Sequence, residues 1–182
     1  MAAETRTPRA KWVEEGLLAL AAGGPDAVRV EALAKSLGVT KGGFYGFFAD
    51  RDTLLAAMLD AWEKESGEDL FARAEGAGGD TRTRMRKAAE LASDARLLRI
   101  DLAVRDWARR DPAVADRLRR VDNRRMGFLR SLFAEIFDDP DEVEARCLLA
   151  FSLLVGNHFM AADHGSRSRE QVYLHAVRLV TT

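Results

Sequence analysis

The chain has 182 residues, 47% hydrophobic, 31% charged and 8% aromatic, with 14 Gly and 4 Pro, a balance that excludes collagen-like, disordered and disulfide-scaffold proteins. Lys and Arg number 28 against 29 Asp and Glu, a formal charge of −1, so the molecule as a whole does not attract nucleic acid and any DNA affinity has to come from a local arrangement. The single cysteine, Cys147, leaves no framework for a disulfide, a zinc ribbon or a CxxC redox site, and the first ten residues, with Glu4 among them, hold no secretory or transit signal, which predicts a cytoplasmic protein.

Ala, Leu, Arg and Glu dominate and no stretch alternates strictly, so an all-α fold is expected. Thr7 supplies a capping hydroxyl ahead of Pro8, whose missing N–H is no loss in a first turn. The helix it opens runs from about Pro8 to Ala22, with Trp12, Val13, Leu17, Leu20 and Ala21 on its apolar face and Gly23-Gly24-Pro25 as its stop. A second helix is expected from Val30 to Leu37, ended by Gly38, and a third from Lys41 to Phe47 with Thr40 as its cap. Asp50 caps a longer fourth helix whose Leu54, Leu55, Met58, Leu59 and Trp62 recur at three- and four-residue steps to about Ser66. Gly76, Gly78 and Gly79 mark a joint, after which helices are expected over Met85–Ala95, Leu97–Arg109, Ala113–Phe137, Val143–Ala162 and Arg169–Val180. Asp111-Pro112 and Asp138-Asp139-Pro140 punctuate this series. The layout is a three-helix head over residues 1–49, then a connecting helix and a C-terminal helical body over 50–182.

The stretch from Val30 to Phe44 has helix-turn-helix spacing. Ala34 is small where a second helix crosses closely, and Gly38, four residues on, permits a left-handed turn. Leu33, Leu37, Val39, Phe44 and Phe47 are placed inward to hold the two helices together. Gly42 and Gly43 each cost a helix interior about 1 kcal/mol relative to Ala, so stability alone does not choose them. Glycine lets a backbone approach phosphate or base edges, and Thr40 and Lys41 add a hydroxyl and an ammonium beside it. Tyr45 adds a phenolic donor. Arg51 opposes the dipole of the fourth helix unless an anion lies near, and both a DNA phosphate and the flanking Asp50 and Asp52 fit that role.

From Val39 to Leu55 the chain resembles the signature of the TetR family of bacterial transcriptional repressors. Tyr45, Phe48, Arg51, Asp52 and Leu54 match its pattern, while Phe47 stands where His is common, Gly46 where a large aromatic is frequent, and Arg29 where Ser or Thr often caps the second helix. The resemblance implies a homodimer that binds a near-palindromic operator, one head per half-site, and releases it when a small apolar or amphipathic molecule enters the C-terminal body. Thr40, Lys41, Gly42, Gly43, Phe44, Tyr45 and Arg51 are the candidate DNA-binding residues. Residues 1–48 carry six basic and five acidic groups, so one head binds weakly and two are needed, meeting successive major grooves about 34 Å apart.

In the body, residues 143–162 are apolar around most of a helical circumference, interrupted by Gly156, Asn157 and His158. Such a helix is buried on two sides. One side serves the monomer core and the other a partner, which with 169–180 makes a dimer-forming four-helix bundle. Polar groups within apolar stretches are the handles for an effector: Asp101, Arg105 and Trp107 on one helix, then Phe128, Phe151, Asn157 and His158. Asp101 and Arg105, four apart, also read as a surface ion pair, the phenylalanines also as plain core, and Asn157 and His158 also as cross-dimer donors. The Arg82–Lys87 cluster reads as a solvated helix face, or alternatively as a surface that approaches DNA or an anionic ligand.

No catalytic constellation is present. His158, His164 and His175 have no metal-ligand spacing, no phosphate loop or nucleophile elbow occurs, and no metal or cofactor is expected. Cys147 reads either as a small buried hydrophobe or as a redox-sensing thiol. The alternative to an operator-binding regulator is a helical small-molecule sensor of the same fold that does not bind DNA.

Overall fold

A computed structural model describes residues 9–182, and its regular structure is entirely helical. The expected start at Thr7-Pro8 lies outside the described residues. Helix α1 (Arg9–Gly23) is followed by a 3-10 turn (Pro25–Ala27), α2 (Val30–Ser36), α3 (Lys41–Phe44) and α4 (Arg51–Lys64). A π-turn (Glu65–Asp69) leads to α5 (Leu70–Glu75), and then come α6 (Thr81–Ala92), α7 (Ala95–Ala108), α8 (Pro112–Phe133), α9 (Pro140–Gly156) and α10 (Arg169–Thr181).

The chain divides into two compact units. One comprises the residues up to Ser66 with Ala95–Arg120, the other Gly67–Asp94 with Val121–Thr182. The first unit is built around α1. Helix α1 packs against α4, α7 and α2; Trp12, Leu17 and Leu20 on it are buried, as are Met58 and Trp62 of α4, Ile100 and Val104 of α7, Leu33 of α2, and Phe44 of α3, which meets Trp12. Gly16 lets α4 come close, since a β-carbon there would stand 2.6 Å from the Met58 sulfur. Arg96, in the first turn of α7, ties three segments: its Nε and a terminal nitrogen donate to Glu14 at 2.7 and 2.5 Å, and its other terminal nitrogen donates to Glu65 at 2.8 Å.

The second unit has its own core of Met85, Leu132, Phe133, Val143 and Cys147, with Phe128, Phe137, Ala150 and Val180 packed against it. Arg146 joins α9 to α10, lying 3.8 Å over the Phe137 ring and donating to the Val180 carbonyl at 2.6 Å. Arg84 is not part of a solvated face: its side chain is 18% exposed and spans Glu75 and Glu135.

Several boundaries depart from the periodicity. The fourth helix does not stop at Ser66 but passes through the π-turn and continues to Glu75; within that turn the buried Ser66 hydroxyl donates to the Trp62 carbonyl at 2.5 Å. Helix α6 starts at Thr81, four residues early, since Asp80 accepts from the Thr83 amide at 2.8 Å. Helix α8 ends at Phe133 rather than Phe137. Helix α9 begins at Pro140 behind the Asp139 cap and ends at Gly156, so 157–162 lie outside it.

Candidate nucleic-acid interface

The helix-turn-helix closes as the sequence requires. Gly38 sits at φ 67°, the Gly38 amide donates to the Lys35 carbonyl at 3.2 Å and the Val39 amide to the Ala34 carbonyl at 2.9 Å. These are the two crossed bonds of a Schellman ending, which only a left-handed residue allows without strain. They turn the chain so that α3 leaves with its polar residues outward: Thr40, Lys41, Gly42 and Tyr45 are exposed, and Gly43 is half-buried.

An aromatic core stands behind that surface. Phe44 is fully buried, meets Trp12 edge-on at 5.4 Å and Tyr45 at 5.2 Å, and stacks on Phe48 at 5.3 Å. Arg9, at the start of α1, lies 4.8 Å above the Phe48 ring. Two expectations are corrected here. Phe44 offers no ring to a ligand, because it is the peg on which its exposed neighbours are mounted. The inward side chain of the next turn is Phe48, 2% exposed, and Phe47 is half-buried, because α3 ends at Phe44 and the following turn shifts the register by one.

Thr40 stands at the N-cap of α3 in extended conformation, but its side chain makes no capping bond. Lys41 is held by Glu31, in the first turn of α2. The pair moves both groups toward their charged forms: the bond to Lys41 holds the Glu31 carboxyl below the usual range, and Glu31 raises the Lys41 ammonium. Arg51 is engaged by its own protein. Its Nε donates to the Val28 carbonyl at 2.7 Å and a terminal nitrogen to the Pro25 carbonyl, while Asp52 lies 3.9 Å from the other. Asp50 caps α4, accepting from both the amide and the hydroxyl of Thr53 at 2.7 Å. Sequence reasoning missed the Arg51 carbonyl bonds, since nothing in the local pattern shows that the 3-10 turn ends beside α4.

The candidate effector residues separate. In the first unit, Asp101 and Arg105 do pair, at 2.9 Å, but not on the surface: Asp101 is 6% exposed and also accepts from Trp62 Nε1 at 3.2 Å. Trp107 is buried on the same helix. In the second unit Phe128 stacks on Phe71 at 4.5 Å, Phe151 is half-buried, and the Asn157 carbonyl accepts from Arg169 at 2.5 Å. His158 is exposed, and partial burial followed by the Arg169 cation lowers its pKa. An open groove of about 390 Å³ lies between α1 and α4 in the first unit, and another of about 420 Å³ runs along α10 in the second. None of these seven residues lines either groove.

Helices α9 and α10 carry an apolar surface that the chain itself leaves open. Leu148 and Leu149 on α9, Leu174 and Leu179 on α10, and Phe159 and Met160 after α9 are each between 45% and 71% exposed. Val143 and Cys147 occupy the opposite, buried side of α9. Among the described residues no helix is long and apolar enough to cross a membrane.

Residues 15–58 match the family described as bacterial regulatory proteins, tetR family. Over nearly the whole chain the fold is similar to solved regulators at low identity. A TetR-family transcriptional regulator from Streptomyces coelicolor aligns at TM-score 0.76 and 19% identity, covering 95% of this chain and 93% of that one. A transcriptional regulator from Rhodococcus sp. Rha1 aligns at 0.72 and 21%, covering 96% and 94%. A regulator of the TetR/AcrR family from Thermobifida fusca aligns at 0.66 and 18%, covering 95% and 96%. No curated protein matches the chain in sequence.

Proposed function

We propose that this chain, a member of the TetR family by its N-terminal segment and a transcriptional regulator, works as a homodimeric repressor that leaves a palindromic operator when a small molecule binds its C-terminal part. DNA binding is assigned to residues 1–49, and the effector and dimer roles to 50–182. The observation that carries the reading is the exposed set Thr40, Lys41, Gly42 and Tyr45 mounted on the fully buried Phe44: a short, side-chain-poor helix over an aromatic base. Its two glycines let the backbone of α3 come close to base edges in the major groove. Thr40, Lys41 and Tyr45 bind flanking phosphates with a hydroxyl, an ammonium and a phenol.

Arg51 serves the interface from behind. By holding the Val28 and Pro25 carbonyls it fixes the start of α4 against the turn before α2, and its cation adds to the field that the phosphates meet. The exposed leucines of α9 and α10 support a dimer in which these helices from two copies form a bundle. Two heads on a two-fold axis reach half-sites one helical turn apart. An effector of apolar or amphipathic character lowers operator affinity by favouring a dimer geometry in which both heads no longer fit adjacent grooves. The protein acts in the bacterial cytoplasm, where its DNA partner lies.

The test is a titration of the purified protein onto duplex DNA over a salt series. Wild type is expected to show a steep loss of affinity with salt, and Thr40→Ala, Lys41→Gln and Tyr45→Phe a weaker affinity on every sequence, with a shallower slope for Lys41→Gln. Slopes and affinities equal to wild type in all three variants place the interface elsewhere.

A further inference from the structure

We propose that Glu31 is an internal stand-in for the DNA backbone: its carboxylate occupies the Lys41 ammonium in the free head, a phosphate displaces it on binding, and this exchange sets the affinity and salt dependence of the protein. The inference rests on the DNA-binding reading above.

The turn at Gly38 brings Glu31 and Lys41, ten residues apart, into an ion pair at the surface. Their side chains are 67% and 50% exposed, so the core requires neither, and an exposed pair of this kind contributes little to folding. What the pair does change is the state in which Lys41 meets DNA. A carboxylate oxygen takes one of the positions around an ammonium that a phosphate oxygen would take. An unpaired lysine that neutralises a phosphate releases a counterion, and that release is the main drive for binding. A lysine already neutralised by its own protein gains less, because the freed carboxylate must recruit a cation in return. Arg29, at the N-cap of α2, also lowers the Glu31 pKa through its charge. Glu31 thereby holds the head's grip on DNA below what its lysine alone allows, which keeps non-specific binding weak and release easy.

The full chain is compared with Glu31→Gln, Lys41→Gln and the double variant, each shown by thermal unfolding to keep its fold, in titrations onto a mixed-sequence duplex over a salt series. Glu31→Gln is expected to bind several-fold tighter at low salt, and its slope of log K against log salt to steepen by about one. In the Lys41→Gln background the same substitution is expected to leave affinity and slope nearly unchanged. An equal gain in both backgrounds overturns the proposal, because Glu31 then acts only as a negative charge near DNA. No gain from Glu31→Gln in a wild type that binds also overturns it. A wild type that binds no duplex at all removes the DNA-binding reading itself and this inference with it.

Discussion

Gly42 carries no side chain, yet nothing in the fold asks for its absence. A β-carbon there would meet only the Thr40 hydroxyl at 3.7 Å, and one at Gly43 only the Trp12 ring at 4.0 Å. Neither glycine has a positive φ. Gly42→Ala is therefore expected to raise stability by roughly 0.5 to 1 kcal/mol and to weaken DNA binding, as measured by chemical denaturation and duplex titration; a stabilised variant with unchanged affinity would detach Gly42 from the interface. Arg51 makes the opposite case, a residue whose charge suggests a ligand while its geometry shows a brace. Arg51→Ala is expected to cost about 1 to 2 kcal/mol, the worth of charge-assisted bonds to two carbonyls, and to flatten the salt dependence of binding. Arg51→Lys should restore the slope without restoring stability, since an ammonium lacks the fork that spans both carbonyls; full recovery of both by lysine would rule out the brace. At this scale the sequence was legible where one residue decides the outcome locally, as at Gly38. It was illegible where partners are distant, as for Arg51, whose carbonyl acceptors lie 23 and 26 residues away.

Among the elements, α2, α7 and α10 stand close to where periodicity and caps put them, because an apolar face and a terminating residue are both local signals. The π-turn at Glu65–Asp69 was not readable. Its side-chain bonds are to distant or buried groups: Ser66 to the Trp62 carbonyl, and Glu65 to Arg96 of α7, which also holds Glu14 of α1. Arg96→Met keeps the aliphatic stem and removes the fork; it is expected to lower stability by about 1 to 2 kcal/mol, measured by denaturant unfolding, and an unchanged midpoint would show that the three segments hold without it. On α9 the two readings of Cys147 separate. The side chain is wholly buried, and burial pushes its thiol up to about 11, so at neutral pH it is a protonated, inaccessible group and a poor nucleophile. It should resist alkylation in the native protein at pH 8 and react once unfolded, whereas rapid native labelling would restore the redox reading. Because the unfolded thiol ionises first, near 9.0, the stability tied to Cys147 is complete below pH 9 and is lost as pH rises toward 11.

For the molecule as a whole, a formal charge of −1 gives no general attraction to DNA, and the proposed dimer draws its affinity from two modest heads joined through the exposed apolar surface of α9 and α10. Leu148→Glu with Leu149→Glu places charges on that surface and leaves the Val143 and Cys147 side of the helix untouched. The variant is expected to sediment as a folded monomer and to lose most operator affinity; a dimer that persists would move the interface off α9. That α9 has an apolar side beyond its buried Val143 and Cys147 was legible in the apolar circumference of 143–162. Of the candidate effector residues, Asp101, Arg105 and Trp107 belong to one compact unit and Phe128, Phe151, Asn157 and His158 to the other, a division that helix periodicity does not encode. Whether paired copies of this head read one palindromic sequence is decided by incubating the purified protein with a randomised duplex library at moderate salt and sequencing what it retains. Enrichment of an inverted repeat whose half-sites lie about one helical turn apart is the expected result. A folded dimer that retains duplexes without any enriched sequence, or retains none, contradicts it.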